Sequence, residues 1–161
     1  MRIIMILIIL MASTFPAMAE TSRIPDNISK ILKKHNPKVK WESIIGQDDV
    51  NCDGKKDYIV VGKVNNRLHV AVVLGPLSDK SKVSSINIGL GSERYQDSLG
   101  EKDPSIRIVS LDYDPKEVTG FPAEGFERSK TCKGIEIGGE ETDEFNVYWN
   151  HKKNILGWWR L

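Results

Sequence analysis

The sharpest chemical offer in the chain is made by nine residues, Asp49-Val50-Asn51-Cys52-Asp53-Gly54-Lys55-Lys56-Asp57, which run straight into Tyr58-Ile59-Val60-Val61. Oxygen-bearing side chains stand at the first, third, fifth and ninth places, and Gly stands at the sixth. Calcium takes six to eight oxygens at roughly 2.3 to 2.6 Å, so a loop this short must curl tightly enough to aim alternate side chains inward. Asp49, Asn51 and Asp53 have the right alternation, and Gly54 permits the positive φ that the curl needs. The Lys55 backbone carbonyl can fill the next place, and Asp57 closes the set. A competing reading is an Asx-rich turn that satisfies its own backbone amides and holds no metal.

The residues around the loop limit what such an ion would do. An EF-hand would place a bidentate Glu at the twelfth position and helices on either side; here the twelfth residue is Val60 and a β-type run follows. Lys55 and Lys56 soften the local negative charge. The expected affinity is therefore weak, of the order of 10⁻⁴ to 10⁻³ M as in extracellular modules, and the expected role is structural.

A loop of the form Asp-x-Asn-x-Asp-Gly-x-x-Asp that enters a strand directly resembles the loop of FG-GAP and VCBS-type repeats. The likeness covers about Asp48 to Leu74, including Tyr58-Ile59-Val60-Val61-Gly62 and the run from Leu68 to Leu74. It extends to small exported bacterial proteins that carry one such loop and end in a Tyr-Trp strand, here Val147-Tyr148-Trp149-Asn150. The resemblance implies Asp49, Asn51, Asp53 and Asp57 as calcium ligands, with Lys55 contributing its carbonyl. It also exposes one departure: the fourth loop position is usually small, often Gly, and here it is Cys52.

Other chemistry is thinner. His35, His69 and His151 fall in three unrelated contexts, and the chain contains no His-Glu-x-x-His, Cys-x-x-Cys or Gly-x-Ser-x-Gly pattern. Gly89-Leu90-Gly91 lacks the rest of a phosphate-cradling fingerprint. No catalytic residue is assigned, although a triad assembled in space would leave no such trace. The acidic run Glu140, Glu141, Asp143 and Glu144 could meet a basic partner or simply be solvated. Arg94 and Tyr95 are candidate contact residues in a polar loop. Trp158 and Trp159 must point to opposite faces of a strand, so one ring is expected in the core.

The chain opens like an export signal: Arg2, an unbroken apolar run from Ile3 to Met11, and a small-x-small site at Ala17-Met18-Ala19. Cleavage after Ala19 would leave residues 20–161 as a single domain, periplasmic or secreted, with no stable membrane insertion. Removing Arg2 brings lysine plus arginine level with the 22 acidic residues. A balanced charge argues against nucleic acid as a partner. Two cysteines in an exported chain favour a disulfide, and Cys52 with Cys132 is the one intramolecular pairing available. Closing about 80 residues would contribute on the order of 4 to 5 kcal/mol in the chain-entropy description, less any strain.

The elements that would position the loop follow from periodicity. Ile28, Ile31 and Leu32 make one apolar stripe on a short helix, with Asp26 as N-cap and Pro37 as stop. Strands are expected over Val39–Ile45, Tyr58–Val64, Arg67–Leu74, Val83–Leu90, Ile106–Leu111, Gly134–Ile137, Phe145–Asn150 and Asn154–Leu161. Asn65-Asn66 joins the central hairpin, since Asn tolerates positive φ. Gly91–Ser105 reads as a long surface loop, Asp112–Pro115 as a turn and Thr119–Phe126 as irregular chain. The fold class is thus α+β: one N-terminal helix against a mainly antiparallel sheet of six to eight strands. The expected function is a non-catalytic, monomeric partner-binding protein of inhibitor or immunity type, rigidified by calcium and a disulfide. The alternatives are a small envelope hydrolase using His69 or His151 with the acidic loops, or a carbohydrate-binding module with Trp158 or Trp159 exposed.

Overall fold

The computed structural model describes residues 23–91, 96–100, 102–138 and 143–161. The export segment 1–19, Arg94, Tyr95, Glu140 and Glu141 lie outside the described residues. The architecture is α+β and mostly strand, but the strands divide between two sheets where one was expected. The first sheet has five strands in the order β1 (Lys40–Asp48), β2 (Asp57–Val64), β3 (Arg67–Val73), β4 (Val83–Leu90) and β5 (Ser98–Leu99). The second has four: β6 (Ser105–Leu111), β7 (Ser129–Gly138), β8 (Phe145–Asn150) and β9 (Ile155–Trp159). All pairings are antiparallel except β4 with β5.

The two-sheet arrangement follows from which faces are apolar. On β2 and β3, Ile59, Val61, Leu68, Val70 and Val72 face one way, and meet Ile135, Ile137, Phe145, Val147, Trp149 and Leu156 of the second sheet. Val60, Ala71 and Val73 face the other way, onto Ile28 and Leu32 of α1 (Asp26–His35). A strand covered on both faces reads as a continuous apolar run, as Val70–Val73 does. Each fully buried aliphatic side chain contributes roughly 1.5 to 3 kcal/mol relative to exposure.

The second sheet is covered in its turn. Leu111, Cys132 and Tyr148 lie on its outer face, where Tyr113, Ala123 and Phe126 pack against them. The segment 112–128 is therefore a fourth layer. Tyr148 anchors it by donating its hydroxyl to the Glu124 carbonyl at 2.9 Å. The segment also contains a short helix, α2 (Pro115–Thr119), between the expected turn and the expected irregular chain. The signal was present: Asp114 accepts from the Lys116 amide at 2.9 Å, and Pro115 sits at the first helical position, where a missing N–H costs nothing.

Two further boundaries differ from expectation. Asp26 is not the cap of α1, because Pro25 holds that position with no side-chain hydrogen bond, and Asp26 instead lies in the first turn beside the positive dipole end. The stretch 91–105 includes β5, whose Leu99 is fully buried and paired in parallel with β4. The central hairpin closes as expected, with Val64 opposite Arg67 and Asn65 at φ 51°.

Candidate metal loop and its disulfide clasp

The nine-residue loop lies between β1 and β2 and is folded by its own amides. Asp49 accepts from the Asp53 amide at 3.1 Å through Oδ1 and from the Gly54 amide at 2.9 Å through Oδ2. Asn51 Oδ1 accepts from the same Asp53 amide at 3.2 Å, and Asp53 Oδ1 accepts from the Lys55 amide at 2.9 Å. Two residues take left-handed backbone conformations to allow this winding, Cys52 at φ 63° and Gly54 at φ 80°. The fourth loop position lies in the region that suits Gly, so a Cys there carries a steric cost of roughly 1 to 2 kcal/mol.

Cys52 is held in that conformation by a disulfide to Cys132 on β7, with a Cα–Cα separation of 5.3 Å. The bridge joins the loop of the first sheet to the longest strand of the second. A backbone bond reinforces it: the Lys133 amide donates to the Asp49 carbonyl at 2.9 Å. Val50, fully buried, extends from the loop into the core between the sheets. Bridge, amide and Val50 side chain together clasp the two sheets at one end.

Asp57 is the keystone of the loop and is fully buried. Its Oδ2 accepts from the amides of Val50 at 3.0 Å and Asn51 at 3.3 Å, and its Oδ1 from the amide of Gly75 at 2.9 Å. Burial pushes its carboxyl above the usual carboxylate range, and these three amides pull in the opposite direction. Gly75 is required by contact, because a Cβ there would stand 2.1 Å from the Lys56 carbonyl oxygen. Asp57 therefore ties the loop to the β3–β4 connection.

The sequence-derived ligand set is only partly spent on this network. A carboxylate offers about four lone-pair sites and an amide oxygen two. Asp49 uses two, Asn51 one, Asp53 one and Asp57 three. The remaining Asp53 oxygen faces Lys55 Nζ at 3.9 Å. Hard oxygen donors with unspent capacity on Asp49, Asn51 and Asp53 fit a calcium ion in chemistry. Among the described residues, no three His, Cys, Asp or Glu side chains are grouped closely enough to hold a metal. Gly75, Lys133 and Val50 escaped sequence reasoning; only Val50 left a trace, as an apolar residue in an otherwise polar loop.

The other sequence-derived candidates are dispersed. His69 is buried on β3 with its ring edge-on to Trp41 at 6.5 Å, and burial followed by the Arg67 charge holds its pKa below the ordinary 6.5. His35 ends α1 with Nε2 at 2.9 Å from Ser85 Oγ. His151 lines an open cavity of about 460 Å³ that also touches Glu124 and Glu127. Among the described residues no histidine nitrogen lies within 4.0 Å of a carboxylate oxygen. Glu144 of the acidic run accepts from Arg107 at 2.9 Å, beside the Arg107–Glu136 ion pair. Trp158 is 40 % exposed and leans on Phe145 at 5.0 Å, whereas Trp159 packs against Tyr113 at 6.1 Å on the outer face.

Comparison of the chain with protein-family models, with curated proteins and with solved structures finds no match. The functional reading therefore rests on the chain's own residues.

Proposed function

We propose that this is an exported, non-catalytic protein of the periplasm or extracellular space that binds a partner protein, as an inhibitor or immunity protein does. The observation that supports it most is Phe121. This side chain is 77 % exposed, beside Val118 at 53 %. It stands on a turn that is tightly fixed: Gly120 ends α2 at φ 78°, and the Thr119 hydroxyl accepts from the Phe121 amide at 3.1 Å and lies 2.7 Å from the Phe121 carbonyl. A large apolar ring held outward by a hydrogen-bonded turn, with exposed Lys116, Glu117 and Glu124 within five residues of it in the chain, has the form of an interface anchor with polar neighbours. Pre-ordering such a turn removes part of the entropy cost of binding.

The test is affinity capture from an envelope extract by the wild-type protein and by Phe121→Ala. Wild type should retain a stoichiometric partner, and the variant should bind it roughly 30-fold more weakly, the loss typical of an anchor worth about 2 kcal/mol. Circular dichroism should be unchanged, since the ring is outside the core. Recovery of no stoichiometric partner, or equal capture by the variant, would overturn the reading.

The same reading gives the loop a structural calcium ion, held by Asp49, Asn51, Asp53, Asp57 and the Lys55 carbonyl. The unspent lone pairs of Asp49, Asn51 and Asp53 support it, whereas Asp57 already accepts three amides. Asp53→Ala should then lower the melting temperature in calcium and leave it nearly unchanged in chelator. An equal loss in both would mark a metal-free turn.

A further inference from the structure

The layer opposite Phe121 carries a different kind of surface. From Asn27 to Trp41 the chain contains Lys30, Lys33, Lys34, Lys38 and Lys40 and no acidic residue. All five lysines are exposed, and none is ion-paired among the described residues. In a chain with net charge +1 this is a local excess and not a global one. Where the end of α1 meets the β3–β4 connection, the surface dips into a cavity of about 260 Å³.

Lys34, His35 and Lys80 line this cavity together with Ser81 and one acid, Asp79, over the apolar side chain of Ile31. Its walls are fixed. Ser78 and Ser81 exchange backbone and side-chain hydrogen bonds at 2.9 and 2.8 Å, and the Leu74 amide donates to the Lys82 carbonyl at 2.9 Å. His35 is oriented by Ser85, which leaves its Nδ1 unengaged by that bond. The carbonyls at the end of α1 add about half a negative charge, less than two lysines supply. The neighbouring Lys82 adds a further exposed cation.

We infer that this cavity between α1 and the β3–β4 connection binds a phosphate group through Lys34 and Lys80. Two ammonium groups lining one cavity suit an anion about the size of a phosphate, as point charges that do not require bidentate geometry. The flanking lysines of α1 add long-range attraction that salt weakens. Such a group could be carried by an anionic phospholipid or be free in solution. Asp79 is the one opposing charge on the cavity wall, so it limits the affinity.

The experiment uses the protein with vesicles of phosphatidylcholine, with vesicles of phosphatidylcholine plus phosphatidylglycerol, and with inorganic phosphate. Sedimentation reads the vesicle arms and calorimetry the soluble one. Binding to phosphatidylglycerol vesicles alone would place the phosphate on a lipid, and a calorimetric signal with inorganic phosphate would place it in solution. In either case Lys34→Gln with Lys80→Gln should weaken binding roughly 30-fold, at about fivefold per lysine or somewhat more, and Asp79→Asn should tighten it several-fold. The control pair Lys30→Gln with Lys33→Gln, outside the cavity, should cost clearly less. Binding in no arm, an equal loss in the control pair, or no gain from Asp79→Asn would overturn the assignment.

Discussion

Replacing Asp57 with Ala tests the loop at its most buried point. The carboxylate has no exposed surface and accepts three amides, from Val50, Asn51 and Gly75. Removing it leaves three donors without acceptors, at about 1 to 3 kcal/mol for each that stays dry. Asn51 and Gly75 are half-buried, so water can reach part of the vacated space. A loss of about 3 to 5 kcal/mol is expected, a large share of the roughly 5 to 15 kcal/mol available to a domain. Equilibrium urea unfolding followed by tryptophan fluorescence reads it directly. Asp57→Asn keeps one acceptor oxygen and should recover part of the loss. A variant Asp57→Ala within about 1 kcal/mol of wild type would refute the keystone assignment, because the buried Val50 amide and two half-buried amides would all lose their acceptor.

The clasp and the buried histidine give two further outcomes. Replacing Cys52 and Cys132 together by Ser should cost about 4 to 5 kcal/mol, because the bridge spans 80 residues and Ser, which also has a Cβ, keeps the left-handed cost at position 52. A midpoint shift under 1 kcal/mol would show that the sheets hold together without the bridge. His69 has a folded-state pKa below its ordinary 6.5, so on acidification the unfolded chain takes up a proton first and stability falls below about pH 6.5. His69→Gln should flatten that acid slope of the unfolding free energy between about pH 7 and 5, and an unchanged slope would remove the assignment.

Local chemistry made much of the fold legible and long-range packing hid the rest. The stripe Ile28, Ile31, Leu32 located α1, and the apolar run beginning at Val70 located a central strand, because each pattern reports on its own element. That strands β6 to β9 form a separate sheet was not legible. Alternation shows that a strand buries a face, not which neighbour covers it. The short helix α2 has its start signal in Asp114 and Pro115, but Asp112–Pro115 has the composition of a turn as well, and composition alone does not separate the two. At the site, Asp57 was identified as an oxygen donor, yet its three amide partners come from positions 50, 51 and 75, and the last depends on how two connections meet. Cys52 with Cys132 followed from counting alone. The left-handed backbone at Cys52 did not, because φ at one loop position depends on how the whole loop winds.

The clasp itself is tested most directly by native-state hydrogen exchange on the oxidised protein. If loop, bridge and β7 form one unit, the amides of Val50, Gly75 and Lys133 should exchange only through the same global opening that releases the core amides of β2 and β3, and reduction of the disulfide should free them to exchange locally. Rapid local exchange at those three amides in the oxidised protein, with β2 and β3 still protected, would show that the loop does not hold the sheets together.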